Sequence, residues 1–554
     1  MLRHRISPGS FEPVKETMHE NTSRARLVLL LCISLLVLAP MLLYPPGRDQ
    51  GMFAYAGHLV LNGAVPFRDF WDTKPPAIYY VYALSEFLFG YSMHAVRWLD
   101  LFWQIATAAA LFRISRRISK SDCVAVITAL LYVCAYASRG WWNTAQPDDF
   151  LNLPMAVAVL LLMRSLDRER ILWLSLVEGI LVGIAFYFRY PMGVMLAVSM
   201  AVVLVGKGRN AVTLGALTSM AGGFILVVGG YALYLRVSGA WGEFLYTEFT
   251  WAREYGRVGA APSTAAGLLH LGDIFSSHFS FVSLAILALI SYAWAVKTGP
   301  CGLRVNLIAL WALAALANLY VQNKFYIYHF APLAAPLSIG ASFALAFPFE
   351  RNNPPLLKRV AVLALALVVA IPLLAVNKRY NLYCMEVYGD SVRAIAARLL
   401  GGKELRDYYM NVRFTSDDFS LPADRVVADY IRNNTGPDEP VFIWGCETLV
   451  YYLANRKNVS RFIHNFPLRC EWTPDRFGSE LLNSLAGDRP RYFLIVRNDP
   501  VWWATGTRDD SQASLRRYPE IERFIADNYS FERGIENFLI FKRRDVQKNV
   551  KTHR

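Results

Sequence analysis

Leu27–Tyr44 contains no charged side chain, and runs of this kind limit the possible folds of the chain more than any other feature. Roughly 20 apolar residues wound as a helix cross about 30 Å of hydrocarbon, and in lipid only a helix or a closed barrel satisfies its own backbone. Nearly uncharged stretches recur along the chain as far as Leu356–Val376, so the sequence reads as an α-helical polytopic membrane protein. Composition agrees, since Asp, Glu, Lys and Arg make up 18% of the 554 residues, against about 25% in soluble domains. The net charge of +14 does not point to nucleic acid, because the basic residues stand in short clusters between apolar runs, where they set orientation. No nucleic-acid partner is expected.

The polar first 26 residues carry Arg3, Arg5, Lys15, Arg24 and Arg26. The apolar run behind them comes too late for a cleaved leader and continues into Pro-Pro, so the N-terminus is read as cytoplasmic. Arg113–Lys120, Arg164–Arg170, Lys207–Arg209, Lys297–Arg304 and Arg351–Arg359 share that side only if Pro76–Phe89, about 14 residues, is re-entrant or interfacial. The expected spans are then 27–44, 95–113, 121–138, 149–164, 171–188, 190–206, 211–235, 278–296, 304–320, 327–347 and 358–377, about eleven in all. Pro45–His94, Arg236–His278 and everything after Lys378 fall outside.

The domains expected are a cytoplasmic tail (1–26), a transmembrane module (27–377) with its chemistry in the outer loop 45–94, an interfacial linker (378–420), an extracytoplasmic α/β domain (421–545) and a tail (546–554). The α/β assignment comes from helical and strand-like runs at Ala423–Arg432, Pro440–Trp444, Leu449–Arg456, Tyr492–Val496, Ile521–Asn528 and Phe538–Phe541. Asp390–Leu400 has apolar residues at helical spacing and suits a helix on the membrane surface. Seven cysteines show no Cys-x-x-Cys spacing, and Cys446 and Cys470 alone look placed to pair.

The first outer loop mixes aromatic residues with carboxylates. Met52, Phe53, Tyr55, Ala56, Leu59 and Val60 suit an amphipathic interfacial helix, with Asp49 near its start. A carboxylate there serves as a helix cap or as a chemical group, and spacing alone leaves both open. The pattern Arg48-Asp49-x-Gly51-x-x-x-Tyr55, then Gly63-x-x-Pro66-Phe67-x-Asp69 and Lys74-Pro75-Pro76, resembles the first outer loop of the C-type glycosyltransferases, integral membrane enzymes that use lipid-linked sugars. Within them it is most similar to the branch of the dolichyl-phosphate-mannose protein mannosyltransferases and the aminoarabinose lipid A transferases. The resemblance implies that Asp49 is the catalytic base and that Lys74 contacts the carrier phosphate. Gln50 stands where many relatives have a second acidic residue, which argues against a metal-binding pair, and no cofactor is expected.

A polyprenyl-phosphate sugar already carries a good leaving group, so transfer needs a base for the acceptor hydroxyl and cations for the departing phosphate. A single in-line displacement inverts the anomeric centre. Beside Lys74, the phosphate candidates are Arg189, interrupting the apolar Phe186–Pro191 stretch, and Lys324 and His329 in the aromatic segment Gln322–Pro332. Snorkelling would account equally for Arg189, and interfacial anchoring and ordinary packing for the other segment. Asp148 and Asp149 precede a span, where they either orient the acceptor or cap a helix. Tyr55 is a further acceptor candidate, as are Trp502 and Trp503 in the Arg497–Arg508 loop, which fit no clear strand or helix pattern. Asp69 and Asp72 lack the Asp-x-Asp spacing of nucleotide-sugar enzymes and instead shape the loop.

The expected function is sugar transfer from a polyprenyl-phosphate donor to a lipid, glycan or protein acceptor on the outer face of the cytoplasmic membrane. A transporter or lipid flippase is the alternative, but the charges sit mainly at span ends rather than at the midplane.

Overall fold

The computed structural model describes residues 12–167, 172–258, 279–298, 302–350, 356, 360, 381–399, 415–416 and 419–544. Among them, seven helices are long and apolar enough to cross a membrane: Ala25–Leu43, Pro147–Leu166, Tyr190–Lys207, Ala211–Val237, Phe281–Thr298, Leu303–Gln322 and Ile327–Ala346. Asp122–Ala137 and Leu172–Phe188 are shorter apolar helices. Ala95–Ser119 is a 25-residue helix, whose buried Arg97, Asp100 and Gln104 dilute its apolar character. Together these occupy every expected span from 27–44 to 327–347, and the chain is a multi-pass membrane protein. The expected span 358–377 lies outside the described residues.

Small residues let the helices approach closely where lipid supplies no hydrophobic drive. A Cβ on Gly179 would lie 2.0 Å from the Met220 carbonyl oxygen, and one on Gly223 would lie 2.1 Å from that of Leu176, so helices 172–188 and 211–237 meet backbone to backbone. The two ends of the bundle differ in character. At one end Arg26 and Arg116 each pair with Asp122 at 2.9 Å, and Arg117 and Arg304 both reach Asp167. The other end gathers the connections around 44–94, 138–146, 189, 238–258 and 323–326, with the C-terminal domain packed on them.

That domain is the expected α/β unit. Its four-stranded sheet runs in the order Val441–Trp444, Tyr492–Val496, Phe538–Arg543, Tyr529–Ile535, with the first pair parallel and the rest antiparallel. The two parallel strands are buried throughout and read as continuous apolar runs, as strands covered on both faces do. Helices Leu421–Asn434, Asp475–Gly487 and Pro519–Asn528 accompany the sheet. Tyr529–Ile535, an exposed edge strand with an irregular register between Phe531 and Arg533, has no alternation and escapes the sequence reading. The surface-helix expectation at 390–400 falls within a helix spanning Asn381–Leu399.

The first helix already begins at Glu12, so much of the polar tail is helical. One expectation needs correction. Cys446 and Cys470 do not pair; both are buried free thiols, with Cys446 Sγ turned to Asn465 and Cys470 Sγ donating to the Phe466 carbonyl.

Candidate active site

Helix Arg48–Leu61 forms as its pattern suggests, but it does not lie open at an interface. Residues 50–57 are buried on all sides. One side faces helix 77–89 and another the C-terminal domain, where a Cβ on Gly51 would come within 2.6 Å of Leu449 Cβ. Arg48 reaches Glu447 of that domain at 2.9 Å. Tyr55 stacks on Tyr451 with centroids 5.1 Å apart, and its hydroxyl accepts the Asn458 backbone N–H at 2.9 Å. Tyr55 thus stands at the junction between the domains, with its hydroxyl committed to Asn458.

Asp49 sits in the first turn of this helix, yet the capping is done by its neighbour. Gln50 Oε1 accepts the Gly47 N–H at 3.0 Å, while its Nε2 donates to the Trp142 and Thr144 carbonyls at 2.8 and 2.9 Å. Gln50 is thus a staple between the helix start and the 139–146 connection. Asp49 is left half-buried at a helix N-terminus, where the dipole favours its negative charge, with a long 3.5 Å contact from Gln146 Nε2. Tyr255, Tyr326 and Tyr328 all lie close enough for their hydroxyls to feel the Asp49 charge.

Two lysines and a histidine come together near these tyrosines from two other segments, Lys74 from the first loop and Lys324 and His329 from the 322–330 connection. Lys74 Nζ donates to the Tyr328 hydroxyl at 3.2 Å and lies 5.1 Å from the centre of that ring. His329, on the short turn Ile327–Phe330, is buried with Nδ1 unpartnered and packs edge-on to Tyr328 at 4.7 Å. Lys324 covers the Tyr255 ring at 4.0 Å and donates to the carbonyls of Val258 and Trp503, the latter at 3.0 Å. Burial pulls the Lys324 ammonium down to about 8. Its charge is therefore present below that pH and lost above it. Affinity for an anionic ligand held by Lys324, if its own charge is constant over the range, is expected to fall roughly tenfold as pH rises from about 7 to 9, the scale of one charge-assisted contact. Lys324→Arg should flatten that fall; an identical slope in the variant would place the titrating group elsewhere.

Arg189 and Asp148, expected to meet the phosphate and the acceptor respectively, meet each other. Arg189 Nε donates to Asp148 Oδ1 at 2.9 Å and its NH2 donates to Oδ2 at 2.5 Å, with both side chains buried. Snorkelling is thereby ruled out for Arg189. Asp149 pairs with the buried Arg139, and its Oδ2 accepts the Gln146 N–H at 3.0 Å, closing the cap of the Pro147 turn. Asp149 is thus a cap and ion-pair partner, one of the two roles its position before a span leaves open. Trp502 and Trp503 start a one-turn helix, Trp502–Thr505, rather than an irregular loop. Trp502 is exposed and Trp503 half-buried, and the Lys324 bond ties this turn to the same group.

Sequence reasoning missed Gln146, Glu248 and His464. Glu248 lies on a six-residue π-helical turn, Tyr246–Trp251, in an outer segment where no motif draws attention. Asp69 and Asp72 do shape their loop: Asp69 accepts the Val65 N–H at 2.7 Å, and Asp72 accepts the Tyr79 hydroxyl at 2.8 Å.

The helical bundle with its C-terminal α/β domain has a fold shared with known structures. The apo crystal structure of ArnT from Cupriavidus metallidurans superposes with a TM-score of 0.60 at 14% identity, covering 94% of this chain and 98% of that one. The two proteins share one fold. ArnT bound to undecaprenyl phosphate gives a TM-score of 0.59 at 14% identity, over 93% of this chain and 97% of that one. The C-type fold extends to the oligosaccharyltransferase AglB from Archaeoglobus fulgidus, solved with an inhibitory peptide and a dolichol-phosphate. There the TM-score is 0.50 at 12% identity, with 96% of this chain and 75% of that one covered. In sequence, residues 73–230 match the family model of the dolichyl-phosphate-mannose-protein mannosyltransferases. No curated protein matches the chain in sequence. The resemblance to the C-type transferases carried by the first loop is thus met again in the fold.

Proposed function

We propose that this protein transfers a sugar from a polyprenyl-phosphate donor to a lipid, glycan or protein acceptor at the outer face of the cytoplasmic membrane. The observation carrying the reading is that Asp49, uncommitted to capping, lies within electrostatic reach of Tyr255, Tyr326 and Tyr328, and that Lys74 and Lys324 rest on two of those rings. In this mechanism Asp49 takes the proton of the acceptor hydroxyl as its oxygen attacks the anomeric carbon. The bond to the carrier phosphate breaks on the opposite face, and the anomeric centre inverts. Lys74, joined by Arg189 once Asp148 yields a share of it, holds the charge that builds on the departing phosphate. The basic end of the bundle lies in the cytoplasm and the Asp49 end outside, in line with the excess of Lys and Arg on cytoplasmic loops.

Lipid carriers bound to the two structural relatives, undecaprenyl phosphate in one and a dolichol-phosphate in the other, support the donor class. The reaction needs no metal in this reading, because the position beside Asp49 is an amide already tied to the backbone. Purified protein with native membrane lipids and radiolabelled polyprenyl-phosphate sugars is expected to release polyprenyl phosphate, at a rate unchanged by EDTA, and the label's destination identifies the acceptor. No release from any of several donors would move transport ahead of transfer.

A further inference from the structure

Beside Lys74 lies a second polar group, built from three distant parts of the chain. Trp71 and Asp72 come from the first loop, Glu248 and Trp251 from the π-helical turn, and His464 from the C-terminal domain. Trp71 meets Trp251 edge-on at 4.9 Å and His464 at 5.9 Å, and His464 Nε2 stands 3.8 Å from Asp72 Oδ1. The Trp71 backbone N–H donates to the Arg461 carbonyl at 2.7 Å, which fixes the domain against the loop. Tyr79 joins this group to the phosphate candidate, donating to Asp72 at 2.8 Å and to the Lys74 carbonyl at 3.0 Å.

The polar atoms of this group are unusually idle. Both indole N–H groups of Trp71 and Trp251, both ring nitrogens of His464, and Glu248 Oε1 are buried without a hydrogen-bond partner. Leaving such an atom unpaired is costly, and native folds leave few of them. A concentration of them around one spot marks a place where something polar belongs. The π-helical turn is a second, independent pointer, since such turns are rare and concentrate at functional sites. Indole and imidazole N–H donors, carboxyl acceptors and aromatic faces together match a ring that carries hydroxyl groups on its rim and C–H bonds on its faces. Burial, reinforced by the nearby Asp72 charge, pushes Glu248 well above the usual carboxylate range.

We propose that Trp71, Asp72, Glu248, Trp251 and His464 form the pocket for the donor's sugar ring, and that His464, supplied by the C-terminal domain, helps decide which sugar is accepted. This rests on the reading of the chain as a polyprenyl-phosphate-sugar transferase and names the residues that choose the sugar. A site built to hydrogen-bond a hydroxyl rejects an analogue that lacks or misplaces it, because its own buried groups then stay unpaired.

The test uses the full chain in lipid nanodiscs and competes undecaprenyl-phosphate mannose, glucose and galactose, and undecaprenyl phosphate alone, against bound radiolabelled undecaprenyl phosphate. Wild type is expected to favour one sugar over the others by at least about tenfold. His464→Gln, and Trp251→Phe, which removes the N–H while keeping a packed ring, should each shrink that preference roughly fivefold or more. Their affinity for undecaprenyl phosphate itself should stay within about twofold, the tolerance expected of a fold left intact. A preference unchanged in both variants, a parallel loss of undecaprenyl-phosphate affinity, or a wild type that binds the three sugars alike would overturn the pocket while leaving the donor reading standing. Failure of wild type to bind any of the four lipids would overturn the donor reading itself, and the pocket with it.

Discussion

Asp49→Asn is expected to lower sugar transfer by about 10²–10⁴-fold, the range for loss of a positioned general base. The substitution is conservative in shape and changes little else. Capping at this helix start belongs to Gln50 and Gly47, so the helix keeps its end. The long Gln146 contact is the hydrogen bond Asp49 would give up, and an amide can accept it in turn. Binding of polyprenyl phosphate should survive, because Lys74, Arg189 and Lys324 are untouched. A folded Asp49→Asn protein that transfers sugar at the wild-type rate would remove Asp49 as the base. One that neither binds carrier nor transfers would show that the carboxylate holds the site together instead.

Asp148→Asn should produce the largest change in stability. The Arg189–Asp148 pair is buried and bidentate, and removing one partner of such a pair costs about 3–5 kcal/mol, because a charge stays behind without compensation. The resting protein is therefore expected to melt well below wild type. Carrier binding should then restore more stability to the variant than to wild type, since a phosphate supplies the counter-charge that Arg189 has lost. Equal gains in both proteins on adding undecaprenyl phosphate would mean that Arg189 never meets the phosphate and that the pair is structural.

The membrane module was legible in the sequence because a hydrocarbon environment leaves so few choices. Long uncharged runs such as Leu27–Tyr44 can hardly be anything but helices, and the basic clusters mark one end of the bundle. The central strands Val441–Trp444 and Tyr492–Val496 were equally plain, being short apolar runs buried on both faces. What stayed hidden depends on partners far away in the chain. Nothing local tells that the Tyr55 hydroxyl accepts the Asn458 N–H or that Arg48 is matched by Glu447. Arg189 and Asp148 each stood out as charges at the edge of an apolar stretch, but their mutual pairing is a property of two helices side by side. Glu248 and His464 carry no spacing signal at all; one lies on an irregular turn and the other between short elements of the cap. Only the accumulation of unsatisfied atoms around them gives them away.

The contact at Gly51, where helix 48–61 has no room for even a methyl group against Leu449, bears on how such proteins diversify. A cap that merely hung from the bundle could be exchanged between lineages like a cartridge. Here the helix that holds Asp49 has the cap as one of its walls, through Gly51, Tyr55 and Arg48 together. First loop and C-terminal domain are fitted to each other, and a graft of either alone is expected to shift the helix start that carries Asp49.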